Sequence, residues 1–311
     1  MPNTDPFARK LRATSGYLLK RAQQMLEAIV ASEQFGDLSV LSQIQFEVLV
    51  AAKALPESDQ VTIGKALGID KSSITAVLDA LERLNLLNRK ISGDRRRKRL
   101  SPGPRLDAVL AKGWAIGKRA DARLLAPLPA SEQTMLTEIL WDFAGISDSQ
   151  APEWTPVAQL IEGIAGKACG LGSLYTTPGF LLRRCLQVGK GFASQAISPS
   201  DFTEGQAKVL YLICALGTAD ISLLQMALAT KRPTLRVILD TLEVRGLIYQ
   251  DCDPVDARRK RIAPTPQGVL ATEAIRDVWE RIERSVEKRL TSAMHRRLIA
   301  LLQKLTTASS E

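Results

Sequence analysis

One feature constrains this chain more than any other. Asp94-Arg95-Arg96-Arg97-Lys98-Arg99 returns far downstream as Asp256-Ala257-Arg258-Arg259-Lys260-Arg261. Each run opens on an acid, follows a strongly periodic helical stretch and is closed by a hydroxyl-proline step, Ser101-Pro102 or Thr265-Pro266. A feature that repeats with its surroundings marks an internal duplication, and a duplication decides the architecture before any single element is assigned.

The two copies align by eye. Gly16-Tyr17-Leu18-Leu19-Lys20-Arg21 matches Gly179-Phe180-Leu181-Leu182-Arg183-Arg184, and Asp79-Ala80-Leu81-Glu82 matches Asp240-Thr241-Leu242-Glu243. The register is close to 161 residues. The boundaries follow as a first copy over 1–146, a linker with a possible short helix over 147–164, and a second copy over 165–311. A chain of 311 residues, 45% hydrophobic, can bury two cores. Its formal charge of +9 is concentrated in the two runs, which points to a polyanionic partner.

Within the first copy, helical spacing of apolar residues predicts a helix from Gly16 to about Glu33. Ser42 should cap a second helix through Ala54, which Pro56 ends. A short helix from Thr62 to Leu67, a turn at Gly68-Ile69 and a helix from Ser72 to Leu84 form a helix-turn-helix. Leu86 to Lys90 and Lys98 to Leu100 read as the strands of a wing. Helices from Leu106 to Leu125 and from Ser131 to Phe143 close the copy. Gly145 to Pro156 is polar and Pro-containing, as linkers are. The second copy repeats this order with helices from Pro178, from Thr203 and over Leu223–Ala229. Its recognition helix runs from Pro233 to Arg245 and is capped by Gly246. A strand over Leu247–Gln250, the wing and two closing helices follow. The first wing reads as about two residues shorter than the second.

This order resembles the MarR family of bacterial transcriptional regulators. Ile69-Asp70-Lys71-Ser72-Ser73-Ile74-Thr75 is similar to the way that family begins its recognition helix. Leu81-Glu82-Arg83-Leu84-Asn85-Leu86-Leu87 and Leu242-Glu243-Val244-Arg245-Gly246-Leu247-Ile248 resemble its passage from helix to wing. Asp94 with Arg96, and Asp256 with Arg258, match its wing Asp-x-Arg, and Thr265-Pro266-Gln267-Gly268 matches the step that closes the wing. The resemblance covers nearly the whole chain, twice. It implies a mainly α fold with small β-wings. Members of the family are usually short chains that dimerise through their terminal helices. A chain carrying both copies is therefore expected to form an intramolecular pseudo-dimer through its N- and C-terminal helices.

The function implied is sequence-specific binding of double-stranded DNA, as a repressor released by a small ligand. A winged helix-turn-helix lays its second helix in the major groove, and paired motifs sit about one DNA turn, ~34 Å, apart. The expected DNA contacts are Lys71, Ser72, Ser73 and Thr75 on the first recognition helix, and Lys231, Arg232, Thr234 and Arg236 on the second. Arg95, Arg96, Arg97 and Lys98 in one wing, and Arg258, Arg259 and Lys260 in the other, complete the set. Hydroxyls and amides at a helix start suit phosphates, and Arg236 suits a base edge. The second recognition helix starts on a more basic stretch than the first, so the operator is expected to be an imperfect palindrome.

Family resemblance also implies a ligand, often an aromatic carboxylate or its thioester, between the first helices and the DNA-binding lobe. Tyr17, Lys20, Arg21 and Gln24, with Phe180, Arg183, Arg184 and Gln187 in the second copy, are the lining expected. An aromatic followed one turn later by a cation can clamp an aromatic acid. As interface residues of a packed helix they would serve structure instead. Trp114, Trp141 and Trp279 are expected to pack.

The other functional classes have less to stand on. His295 is the single histidine and sits in a terminal helix, and the chain shows no Walker loop, no dinucleotide glycine motif and no His/Cys metal spacing. An enzyme, a cofactor and a metal are not expected. Cys169, Cys185, Cys214 and Cys252 lack CxxC spacing and all fall in the second half, so a symmetric redox switch is excluded and a reducing cytoplasm is expected. No apolar stretch approaches the roughly 20 residues of a membrane span. Two alternatives stand beside the regulator: a non-specific architectural DNA-binding protein, and a winged-helix module that binds protein, which the arginine-rich wings disfavour.

Overall fold

The computed structural model describes residues 13–33, 41–91, 98–146, 170–197, 202–228, 230–252 and 260–307. The linker over 147–164, with its possible short helix, and Cys169 lie outside them. Within the described residues the chain is mainly helical, with two two-stranded antiparallel sheets. No helix there is long and apolar enough to cross a membrane.

In the first copy α1 spans Ser15–Glu33, α2 Gln43–Ala54, α3 Gln60–Leu67 and α4 Lys71–Arg83. Strands β1 (Leu87–Ile91) and β2 (Lys98–Pro102) make the wing, and α5 (Leu106–Leu125) and α6 (Ala130–Ala144) follow. A short helix α7 (Leu171–Tyr175) opens the second copy. There α8 spans Pro178–Ile197, α9 Glu204–Leu216, α10 Ile221–Leu228 and α11 Arg232–Val244. Strands β3 (Ile248–Cys252) and β4 (Lys260–Pro264) form its wing, and α12 (Pro266–Thr307) ends it. Helix α12 is broken at Thr291, whose φ of 65° and ψ of 151° are not helical and whose hydroxyl accepts from the Met294 amide. The break makes it the two closing helices expected.

Local chemistry explains most boundaries. Ser42 and Thr203 each close a capping box with a glutamine three residues on, Gln45 and Gln206. Asp59 starts α3 by accepting from the Thr62 amide, and Gly68 ends it in the left-handed conformation that a β-carbon disfavours. After each wing the returning chain passes beneath the end of the recognition helix. A β-carbon on Gly103 would lie 2.3 Å from the Asn85 carbonyl oxygen, and one on Gly268 2.0 Å from that of Leu247. Glycine is the residue that fits.

The wings pair Leu87 with Pro102 through Ile91 with Lys98, and Ile248 with Pro264 through Cys252 with Lys260. The intervening stretches are therefore 92–97 and 253–259, six residues against seven. The first wing is shorter by one residue, not the two expected, because pairing continues to Lys98 and Lys260.

Compact units do not coincide with the sequence repeats. The chain divides at Tyr17/Leu18, Val188/Gly189 and Lys288/Arg289. The first unit holds the first winged helix together with α7, the start of α8 and the end of α12. The second unit holds the second winged helix. In the second unit Val209, Leu210, Leu235, Leu239, Leu242 and Ile262 are buried together, and Trp279 packs edge-on to Tyr211 at 4.0 Å. In the first unit Leu49, Ile63, Leu67, Leu78, Leu81 and Leu87 are fully buried. Tyr175, Phe180 and Cys185 are buried in the same unit although they belong to the start of the second repeat. Their apolar surface and their polar partners lie there, which is why the spatial division departs from the sequence one.

Candidate nucleic-acid interface and effector cavity

Each recognition helix buries three apolar residues and turns a polar face outward. Ile74, Leu78 and Leu81 are buried on α4, and Leu235, Leu239 and Leu242 on α11. This i, i+4, i+7 pattern leaves Lys71, Ser72, Ala76 and Asp79 exposed on the first helix, and Lys231, Arg232, Thr234, Arg236, Val237 and Asp240 on the second. Ser73 and Thr75 are half-buried.

The starts of the two helices differ. Asp70 caps α4, accepting from the amides of Ser72 and Ser73 at 3.0 and 2.8 Å and from their hydroxyls at 2.5 and 2.6 Å. These bonds, the hydroxyls' first, hold its carboxyl far below the usual carboxylate range. The Thr75 hydroxyl donates to the Lys71 carbonyl at 2.9 Å. Three of the expected phosphate donors thus already have acceptors within the helix. On α11 Lys231 occupies the capping position and makes no side-chain cap.

A second difference lies where helix meets wing. In the first copy Arg89 on β1 forms ion pairs with Glu82 and Asp79, its Nε donating to Glu82 at 2.8 Å. In the second copy Gln250 takes the arginine's place, bonding Glu243 at 2.7 Å through its side chain and 3.1 Å through its amide. Of the expected wing contacts, Lys260 is exposed. Arg95, Arg96, Arg97, Arg258 and Arg259 lie outside the described residues, and of Lys98 only the backbone pairing is described.

The first unit also holds an open pocket of about 100 Å³. Its walls come from α1 (Leu26, Val30), α2 (Gln43, Phe46, Glu47), α5 (Trp114, Lys118, Asp121) and the α7–α8 segment (Leu174, Thr177, Gly179, Phe180). Phe46 and Trp114 meet edge-on at 5.6 Å, and the Trp114 indole N–H finds no acceptor among the described residues. Asp121 accepts a hydrogen bond from the Gly179 amide. Burial nonetheless raises its carboxyl to about 7.

Of the ligand contacts expected, Phe180 lines this cavity, whereas Tyr17, Lys20, Arg21, Gln24 and Arg184 are not among its walls. Arg183 and Gln187 are engaged by the protein. Arg183 pairs with buried Glu47 at 2.6 Å and donates to the Leu67 carbonyl at 3.0 Å, and its guanidinium lies 5.0 Å from the Phe180 ring centre. Gln187 donates to the Gly68 carbonyl at 2.5 Å, and the Tyr175 hydroxyl to that of Ala66 at 2.8 Å. Three donors from the α7–α8 segment therefore satisfy the carbonyls that end α3, in the turn of the first helix-turn-helix.

Sequence reasoning missed Asp121, Tyr175 and Glu47. Glu47 did carry a signal, a lone acid ahead of Val48-Leu49-Val50-Ala51-Ala52. Trp114, expected only to pack, packs and lines the cavity.

Comparison with known proteins settles the kinship. The MarR family model matches residues 41–98 and 202–260, the two winged helices. A protein of Thauera aromatica, described as a candidate transcriptional regulatory protein for the hcr operon, is 31% identical over 141 residues, 45% of this chain and 85% of the relative. The chain belongs to the MarR family. It is a transcriptional regulator carrying two MarR winged helices. Among solved MarR-like structures, the Bordetella bronchiseptica regulator BpsR, whose DNA binding is regulated by 6-hydroxynicotinic acid, is 28% identical. The match covers 42% of this chain and 93% of that one, with a TM-score of 0.40. Apo MarR of E. coli is 26% identical over 41% of this chain and 95% of its own, with a TM-score of 0.38.

Proposed function

We propose that this MarR-family chain is a repressor that binds an imperfect palindromic operator as one covalent pseudo-dimer and is released by a small aromatic effector. The observation that carries the reading is the pair of winged helices, each with a solvent-facing recognition surface flanked by an arginine-rich wing. The mechanism is direct. Lys231, Arg232 and the wing cations neutralise phosphates, and the recognition helices enter the major groove. Lys71 and the serines of α4 serve backbone contacts, the hydroxyls exchanging Asp70 for phosphate oxygens as they do so.

The effector site is the cavity of the first unit. Phe46, Trp114 and Phe180 provide ring surface in a space the size of about one aromatic ring. The unsatisfied Trp114 N–H offers a donor to a carboxylate or thioester carbonyl, and Lys118 adds a cation. Phe180 and Gly179 sit on the helix whose Arg183 and Gln187 hold the end of α3. A ligand that shifts this helix shifts the helix-turn-helix with it and so favours a state that does not hold DNA.

The test is titration of the purified chain against the DNA flanking its own gene and against random duplex, over a range of salt. Steep salt dependence, one chain per operator and release by aromatic acids are the expected outcomes. Equal affinity for random duplex would replace this reading with the architectural one.

A further inference from the structure

Because the two recognition helices are not copies in chemistry, they need not do the same work, and this inference rests on the DNA-binding reading above. On α11 the exposed stripe is Pro233, Arg236, Val237 and Asp240. Among the described residues no hydrogen bond or ion pair engages Arg236 or Asp240, and Val237 is 67% exposed. At the matching places α4 carries Ser72, Thr75, Ala76 and Asp79. There Thr75 bonds its own helix, Ala76 offers one methyl, and Asp79 is neutralised by Arg89. The exchange of Arg89 for Gln250 leaves Asp240 without a counter-charge among the described residues, while Asp79 has one.

We propose that α11 reads base edges through Arg236, Val237 and Asp240, whereas α4 grips the backbone and reads little sequence. Each side chain on α11 has a matching groove feature. A guanidinium donates two bonds to the O6 and N7 of guanine, an aliphatic branch packs on the thymine methyl, and a carboxylate accepts from the cytosine amino group. Arg236 and Asp240 are one helical turn apart on the same face, about 6 Å along the axis, so they address bases about two steps apart. An uncompensated carboxylate also repels phosphates. It penalises every register in which it does not meet an amino group, which sharpens selection. On α4 the paired charges of Asp70, Asp79 and Arg89 are already used inside the protein and offer a base little. The operator is then one informative half-site holding a guanine and a nearby thymine, beside one degenerate half-site.

The experiment is selection of sites from a random duplex library by the full chain, followed by analogue substitution. A strongly asymmetric consensus is expected. Replacing the selected guanine by 7-deazaguanine weakens binding by about tenfold for the native chain and leaves Arg236→Ala unchanged. Replacing the selected thymine by uracil weakens the native chain and leaves Val237→Ala unchanged. Two equally informative half-sites, or an analogue penalty as large in the variants as in the native chain, would overturn the division of labour while leaving specific DNA binding intact. Failure to select any consensus overturns both.

Discussion

Arg183 reaches its Nε to within 2.6 Å of the Glu47 carboxylate, an acid whose side chain is 1% exposed. Burial raises the Glu47 pKa, and the arginine's charge and hydrogen bond oppose that rise. Gln43 adds a bond to the same carboxylate at 2.9 Å and is itself held by Gln23 at 2.7 Å. Removing one member of a buried pair strands the other's charge. Arg183→Ala is expected to destabilise the first unit by about 3–5 kcal/mol, and Glu47→Gln by somewhat less because it keeps a polar acceptor. Denaturant melting of the full chain checks both. The position matching Glu47 in the second repeat is Lys208, paired with Glu204 on its own helix. Lys208→Ala should therefore cost under about 1 kcal/mol.

Asp121 gives the first unit a pH signature. Its folded pKa of about 7 lies above the ordinary aspartate value, so the folded chain holds a proton that the unfolded chain has lost. Stability from this group is full below about pH 4 and is lost progressively as pH rises to about 7. Melting temperature should fall between about pH 4 and pH 7 and level off above, and Asp121→Asn should flatten that part of the profile.

Cys185 is fully buried, donates to the Leu140 carbonyl at 3.3 Å, and has its thiol pKa pushed up by burial. A protonated, inaccessible thiol reacts slowly. Peroxide should affect DNA binding of Cys185→Ala and of the native chain equally. A peroxide effect that Cys185→Ala abolishes would count against this.

Gly103 and Gly268 should tolerate alanine poorly. The added β-carbon meets a backbone oxygen rather than a pliable side chain, so the chain must move. A loss of about 1–3 kcal/mol is expected at each, against near-neutrality for Gly16 or Gly189, where the space is open. Thermal melting of the four variants makes the comparison.

Much of the fold could be read in advance because its signals are local. Ser42 with Gln45, Thr203 with Gln206 and Gly246 after the Leu242 turn each depend on a few neighbours, and α5 falls on the residues expected. The exposed faces of α4 and α11 were equally legible, since helical periodicity alone sorts Ile74 from Thr75 and Leu235 from Arg236. What stayed hidden depends on distance. Arg183 lies 116 residues from the Leu67 carbonyl it satisfies, and its place after Phe180 suited a ligand clamp as well as an ion pair. Asp121 was missed because nothing nearby in sequence announces that the Gly179 amide will bond it.

The debt of the first winged helix to α7 and α8 also bears on heredity. A gene cut back to the first repeat would encode a Glu47 with no counter-ion and α3 carbonyls stripped of Tyr175, Arg183 and Gln187. Because the second repeat supplies them in cis, losing it would harm the first. The duplication is thereby entrenched: the halves are free to diverge in what they recognise, but the first is not free to lose the second.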